Sequence, residues 1–192
     1  MTPALKRIFI DQIHTITWKN KISPATINTA IGVSVSEIEI ISLKLNQRSL
    51  DKKALQMIDK VILYHTLFLL EYGDEVQAWV GFKEKSQTKD GAFKSGTYYH
   101  TEWISSDSFD LSLEGLNMDS VYENFVRQIA GDRLRSIDAN TLKEAVIHDG
   151  EKQKLLKEIS ALEKKIQKEK QFNRQMELNS QLKDKRKKLE EN

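Results

Sequence analysis

Apolar positions at the start of the chain recur with helical spacing. Leu5, Ile8, Phe9, Ile13 and Ile16, with Trp18 beyond them, fall mostly three and four residues apart, which predicts an amphipathic helix over residues 4–19. Ser23-Pro24 breaks it and supplies an N-cap with proline at the first helical position, opening a short helix to about Ile31 that Gly32 ends. In EIEIISLKL (37–45) Ile38 and Ile40 alternate with acids and Ile41 shifts the parity, the mark of a strand that is bulged or buried on both faces. Ala54, Leu55, Ile58, Val61 and Ile62 return to helical spacing and predict a second core helix over 50–62.

Two-residue alternation then takes over. The apolar run at 66–72 and the alternating segment at 75–83 flank Gly73-Asp74 and read as a β-hairpin. The polar, glycine-containing stretch 86–96 reads as a loop, and 97–104 and 109–113 as two further strands. Asn117 is placed to cap a helix that buries Val121, Phe125 and Ile129, with Leu116 stapling onto Val121. Strands flanked by helices indicate an α+β fold: a mostly antiparallel sheet of about five strands with helices on one face.

The segment from Glu151 to Glu190 carries no helix breaker. Leu155, Ile159, Leu162 and Ile166 keep the 4-3-4 spacing of a coiled-coil seam, which slips across 170–175 and resumes through Phe172, Met176, Leu178, Leu182 and Leu189. So narrow a stripe on so charged a helix needs a covering helix, from a second copy, a partner protein or its own second half folded back near Phe172. Leu155, Ile159, Leu162, Ile166, Phe172, Met176 and Leu182 are the expected contact residues, with Asn173 and Arg174 fixing register.

Charge sharpens the division. The net charge of +2 splits into 17 Lys/Arg against 20 Asp/Glu over residues 1–150 and 13 against 8 over 151–192. An acidic body (1–149) and a basic coil (150–192) are therefore expected to be separate domains. The cations of the run Lys183, Lys185, Arg186, Lys187 and Lys188 offer a nonspecific phosphate contact as an alternative use of the coil. The absence of cysteine excludes disulfides, thiolate metal sites and a cysteine nucleophile. With no signal-like start and no apolar run long enough to span a bilayer, the expected location is the cytoplasm.

Catalytic chemistry finds little support. His14, His65, His100 and His148 form no ligand pair at helical spacing, and no phosphate-binding loop, dinucleotide turn, nucleophile elbow or zinc-protease helix occurs. We expect no cofactor and no resident metal. The one acidic constellation, Glu71, Asp74, Glu75 and Glu84 with Lys83 and Lys85, lacks the acid–any–lysine order of metal-dependent nucleases, which keeps a nuclease as the third reading. Tyr98, Tyr99 and Trp103 beside Trp79 suggest a stacking platform for single-stranded nucleic acid, against the commoner role of strand aromatics in packing.

Three stretches together carry a resemblance: LKRIFIDQIHTITWKNKISPATIN (5–28), LEGLNMDSVYENFVRQIAG (113–131) and KEKQFNRQMELNSQLKDKRKKLEE (168–191). With HTLFLLEYGDEVQAWVGFKEK between the first two and YYHTEWI after it, the chain resembles a bacterial family, domain of unknown function 4391. The resemblance implies a setting in restriction–modification or phage-defence islands, beside helicases and DNA methyltransferases, and it supplies no catalytic residues. The resulting expectation is a non-catalytic adaptor that binds a helicase or methyltransferase subunit, or itself, through the coil. The runner-up is a nucleic-acid-binding accessory protein using the basic tail.

Overall fold

A computed structural model describes residues 1–85, 93–135 and 139–190, which divide into two compact units, Met1–Arg135 and Ser136–Asn192. The first unit runs α1 (Pro3–Gln12), β1 (Ile13–Ile22), α2 (Pro24–Ile27), β2 (Ile38–Leu45), α3 (Lys52–Val61), β3 (His65–Tyr72), β4 (Glu75–Lys85), β5 (Phe93–His100), β6 (Ile104–Ser105), α4 (Met118–Ala130) and α5 (Asp132–Arg135). Its sheet is ordered β1-β2-β3-β4-β5, with β6 pairing the start of β4. All pairs are antiparallel except β2 and β3, which α3 joins as a crossover. The α+β class and the mostly antiparallel sheet are as expected.

Alternation along β3 sends its side chains to two cores. Phe68 and Leu70 pack with Ile41, Leu43, Ala54 and Leu55, so α3 covers that face. Leu67 and Leu69 point the other way, toward Phe125 of α4. The expectation of helices on a single face is corrected: β2 and β3 are apolar on both sides because both sides are covered.

The predicted helix over 4–19 is also corrected. Thr2 caps α1, its hydroxyl accepting from Leu5 N, but the helix stops at Gln12 and the chain turns directly into β1. Thr15, Ile16, Thr17 and Trp18 are β-branched or aromatic, and strand pairing with β2 outweighs a helical spacing carried past Phe9 by only a few residues. Ser23 does cap α2, with Thr26 closing a capping box, and the helix ends at Asn28, whose φ of 50° is left-handed.

Residues 109–113 form no strand. They lie as extended chain over the sheet, with Phe109, Leu111 and Leu113 facing the sheet-side slot that Leu67, Leu69 and Phe125 also line. Gln128 of α4 satisfies the backbone there, accepting from Ser112 N at 2.9 Å and donating to Ser112 O at 2.8 Å. The alternation marked one-sided burial rather than ladder pairing. Asn117 caps α4 as expected, with Ser120 closing the box, but Leu116 is 91% exposed and staples nothing. Of the predicted loop 86–96, residues 86–92 lie outside the described residues and 93–96 belong to β5.

The second unit is a pair of helices, α6 (Leu142–Lys168) and α7 (Phe172–Glu190), joined at 169–171. Ile159 and Leu162 of α6 bury against Leu182 of α7, with Ile166, Leu178 and Leu189 around them. The slip in the apolar register across 170–175 is therefore a turn, and the two halves of the stripe cover each other. Lys185 pairs with Glu158 at 2.5 Å and Arg186 with Glu163 at 2.8 Å across the seam.

The domain boundary expected at 149/150 falls inside α6. Thr141 and Glu144 form the capping box that starts this helix, and it passes through Gly150 without a break. The composition shift there coincides with no break in the helix. A methyl group at Gly150 would point into open space. Gly150→Ala is accordingly expected to raise stability by about 0.5–1 kcal/mol, read as a higher denaturation midpoint with unchanged helix boundaries.

Candidate functional site

A buried ion pair sits under the sheet. Lys83, from β4, stands 2.8 Å from Asp59 Oδ1 of α3 with both side chains fully buried. Its ammonium also donates to the Tyr64 carbonyl at 2.5 Å and the Thr66 hydroxyl at 3.2 Å. Tyr98 of β5 donates to Asp59 Oδ2, while Tyr122 of α4 accepts from Lys83 N and donates to Gly81 O at 2.7 Å. His65 packs edge-on against the Tyr122 ring, centroids 4.3 Å apart. Burial holds the Lys83 ammonium below the ordinary lysine range even though Asp59 pulls it upward, and burial raises the Tyr122 phenol. Besides its charge contact with Asp59, the Lys83 ammonium donates to the Thr66 hydroxyl and to the carbonyl just before β3, so the cluster fastens α3, β3, β4 and β5 together.

That cluster takes Lys83 out of the acidic constellation around the hairpin. Lys83 faces inward; Glu71 accepts from Ser42 Oγ at 2.6 Å and pairs with Lys19; Glu75 holds Arg48 in a two-pronged contact at 2.8 and 2.9 Å. The Glu84 and Lys85 side chains lie outside the described residues. Among the described residues no group of three His, Cys, Asp or Glu side chains is placed to hold a metal. His100 stacks on Trp79 at 4.3 Å, and Tyr98 and Tyr99 are buried, so the proposed stacking platform is not exposed; Trp79 and Trp103 join the core instead.

The exposed counterpart is the free edge of the sheet. Among the described residues β1 pairs only with β2, and from His14 to Asn20 every residue is exposed. Long edge strands are templates for further pairing unless blunted by lysines or bulges. Here register shifts flank the stretch Thr15–Trp18, and Lys19 and Lys21 turn to Glu71 and Glu37 rather than guarding the edge. Trp18 is 62% exposed, its indole N–H donating to Glu39, and it forms one wall of a shallow apolar depression of about 420 Å³. Ile41 and Ile62 floor the depression, and Val61, Leu63 and Tyr64, the end of α3 and its link to β3, form the opposite wall. Val61 is 68% and Leu63 64% exposed. Adjacent apolar groups left in water beside unpaired strand backbone form a surface built for association.

Of the coil residues expected to meet a partner, Ile159, Leu162 and Leu182 are brought together within the hairpin, Leu155 and Ile166 are half-buried, and Phe172 and Met176 stand exposed by the turn. In the alternative basic run, Lys185 and Arg186 are engaged across the seam, and Lys183 is exposed. Asp59 and the sheet edge escaped sequence reasoning. Asp59 lies four residues after Leu55 on the apolar face of α3, and a carboxylate on such a face is the signal that a buried partner must exist.

No helix among the described residues is long and apolar enough to cross a membrane. No curated protein and no solved structure matches the chain. The sequence profile described as "Domain of unknown function (DUF4391)" matches residues 1–189, so the chain belongs to the DUF4391 family.

Proposed function

We propose that this chain is a non-catalytic accessory protein that docks a protein subunit on the free edge of its sheet, in the restriction–modification or phage-defence setting implied by the family resemblance, where a helicase or DNA methyltransferase subunit is the expected partner. The observation that carries the reading is the uncovered β1 edge with Trp18, Val61, Leu63 and Tyr64 exposed beside it. An extended segment of the partner added to β1 gains main-chain hydrogen bonds and seats alternate side chains against Trp18 and in the depression. The apolar seam of the coil is already covered by its own second half, so the docking role falls to the sheet edge rather than to the coil.

The test is co-expression with a helicase and a DNA methyltransferase subunit from a restriction–modification system of the same genome, followed by affinity capture. Wild type should retain one of them. Trp18→Asp combined with Leu63→Asp should cut retention tenfold or more while the thermal midpoint stays within a few degrees, because both side chains are already exposed. Equal retention by the double variant, or none by wild type, overturns the reading.

A further inference from the structure

The hairpin turn carries positive charge with little acid beside it. Between residues 164 and 176, Lys164, Lys165, Lys168, Lys170 and Arg174 face a single acid, Glu169. Glu169 is already occupied: its Oε1 accepts from the backbone N–H groups of Lys170 and Gln171, each at 2.9 Å, and its Oε2 lies 3.8 Å from Arg174. It stabilises the turn and the start of α7 and leaves the four lysines without an ion-pair partner among the described residues. At the other end of the hairpin, by contrast, Lys185 and Arg186 are neutralised by Glu158 and Glu163.

The cations border a usable surface. Lys164, Lys165, Lys168 and Arg174, together with the engaged Glu169, line a depression of about 360 Å³ that Leu178 also lines. Beside it, on the first turn of α7, Phe172 is 71% and Met176 58% exposed. An aromatic ring left in water amid lysines has no packing role. Phe172 and Met176 are the only exposed large apolar residues of α7 among the described residues, fewer than an interfacial membrane helix carries on one face. Unpaired cations beside an exposed ring are the combination that holds a single-stranded nucleic acid, by phosphate contacts and by stacking on an unpaired base.

We propose that the turn of the α6–α7 hairpin binds single-stranded nucleic acid, Lys164, Lys165, Lys168 and Lys170 contacting phosphates and Phe172 stacking on a base. This site is independent of the sheet-edge docking surface, and either can fail alone. It also differs from the sequence-level alternative, which assigned nucleic-acid contact to Lys183–Lys188.

The experiment is fluorescence anisotropy of the full chain with a labelled mixed-sequence single strand and a duplex of equal length, over a salt series, with anionic phospholipid vesicles as a parallel arm. The variants are K164Q/K165Q/K168Q/K170Q, the control K183Q/K187Q/K188Q and F172A; glutamine keeps helix propensity close to that of lysine, and circular dichroism checks the fold. Wild type should bind the single strand more tightly than the duplex. The turn variant should lose at least tenfold and flatten the logarithmic salt slope by up to about 3, since each single-strand phosphate contact contributes about 0.7. F172A should lose about tenfold on the single strand with its salt slope unchanged. No binding at low salt, equal loss in the control variant, an unaffected F172A, or binding confined to vesicles overturns the proposal.

Discussion

Replacing Lys83 with methionine is expected to destabilise the unit Met1–Arg135 by about 3–5 kcal/mol, the usual cost of leaving one member of a buried ion pair without its partner. Asp59 Oδ1 has no hydrogen bond among the described residues besides this charge contact, so the variant strands a carboxylate oxygen in the interior. The Thr66 hydroxyl and the Tyr64 carbonyl lose their donor in the same step. Urea unfolding followed by tryptophan fluorescence reads the loss. The double variant Asp59→Leu with Lys83→Met separates the ion pair from its other hydrogen bonds: removing both charges together is expected to recover part of the loss, because the attraction between two buried charges roughly offsets their desolvation, while the Tyr98 hydroxyl gives up its Asp59 acceptor. A single-variant cost below about 1 kcal/mol, typical of a surface substitution, would mean that water reaches the pair.

The same residues show why part of the fold was legible in the chain and part was not. α3 and the β3–β4 hairpin follow from local signals, helical spacing in one and alternation around Gly73-Asp74 in the other; Gly73 takes the φ of 58° that the turn needs. Lys83 alternates with its neighbours as a solvent-facing residue would, and only the three-dimensional approach of Asp59 reverses that meaning. β1 is a sharper case. Its residues continue a helical count by coincidence, and the decision between helix and strand is made by β2, some twenty residues later. Residues 109–113 alternate in earnest, yet their hydrogen bonds go to Gln128 rather than to a strand. Pattern reports which side is buried; the identity of the covering element is a tertiary fact. The sheet edge was invisible for the same reason, since an edge is defined by the absence of a neighbour.

Leu182→Asp is expected to open the α6–α7 hairpin. Two helices sharing one narrow seam have little reserve: among the described residues Ile159, Leu162 and Leu182 form its buried apolar cluster, with Ile166, Leu178 and Leu189 contributing at the margins. Truncating a buried leucine costs about 2–5 kcal/mol. A carboxylate in its place adds the penalty of an unpaired charge against Ile159 and Leu162. A helix of 19 residues with a weak apolar face, once released, is marginal in water. Hydrogen exchange should therefore show the α7 amides losing protection, and limited proteolysis should cut among the lysines of 183–188, which the folded hairpin holds in helix. The exposed Met176→Asp is the matched control and should leave protection unchanged, because Met176 lies outside the seam. Sedimentation separates the two ways of covering the stripe. If the hairpin covers it, wild type and Leu182→Asp have the same oligomeric state. If a second copy covers it, Leu182→Asp dissociates a wild-type dimer. Dissociation would return the seam to intermolecular use and restore the coil as the contact surface in place of the sheet edge.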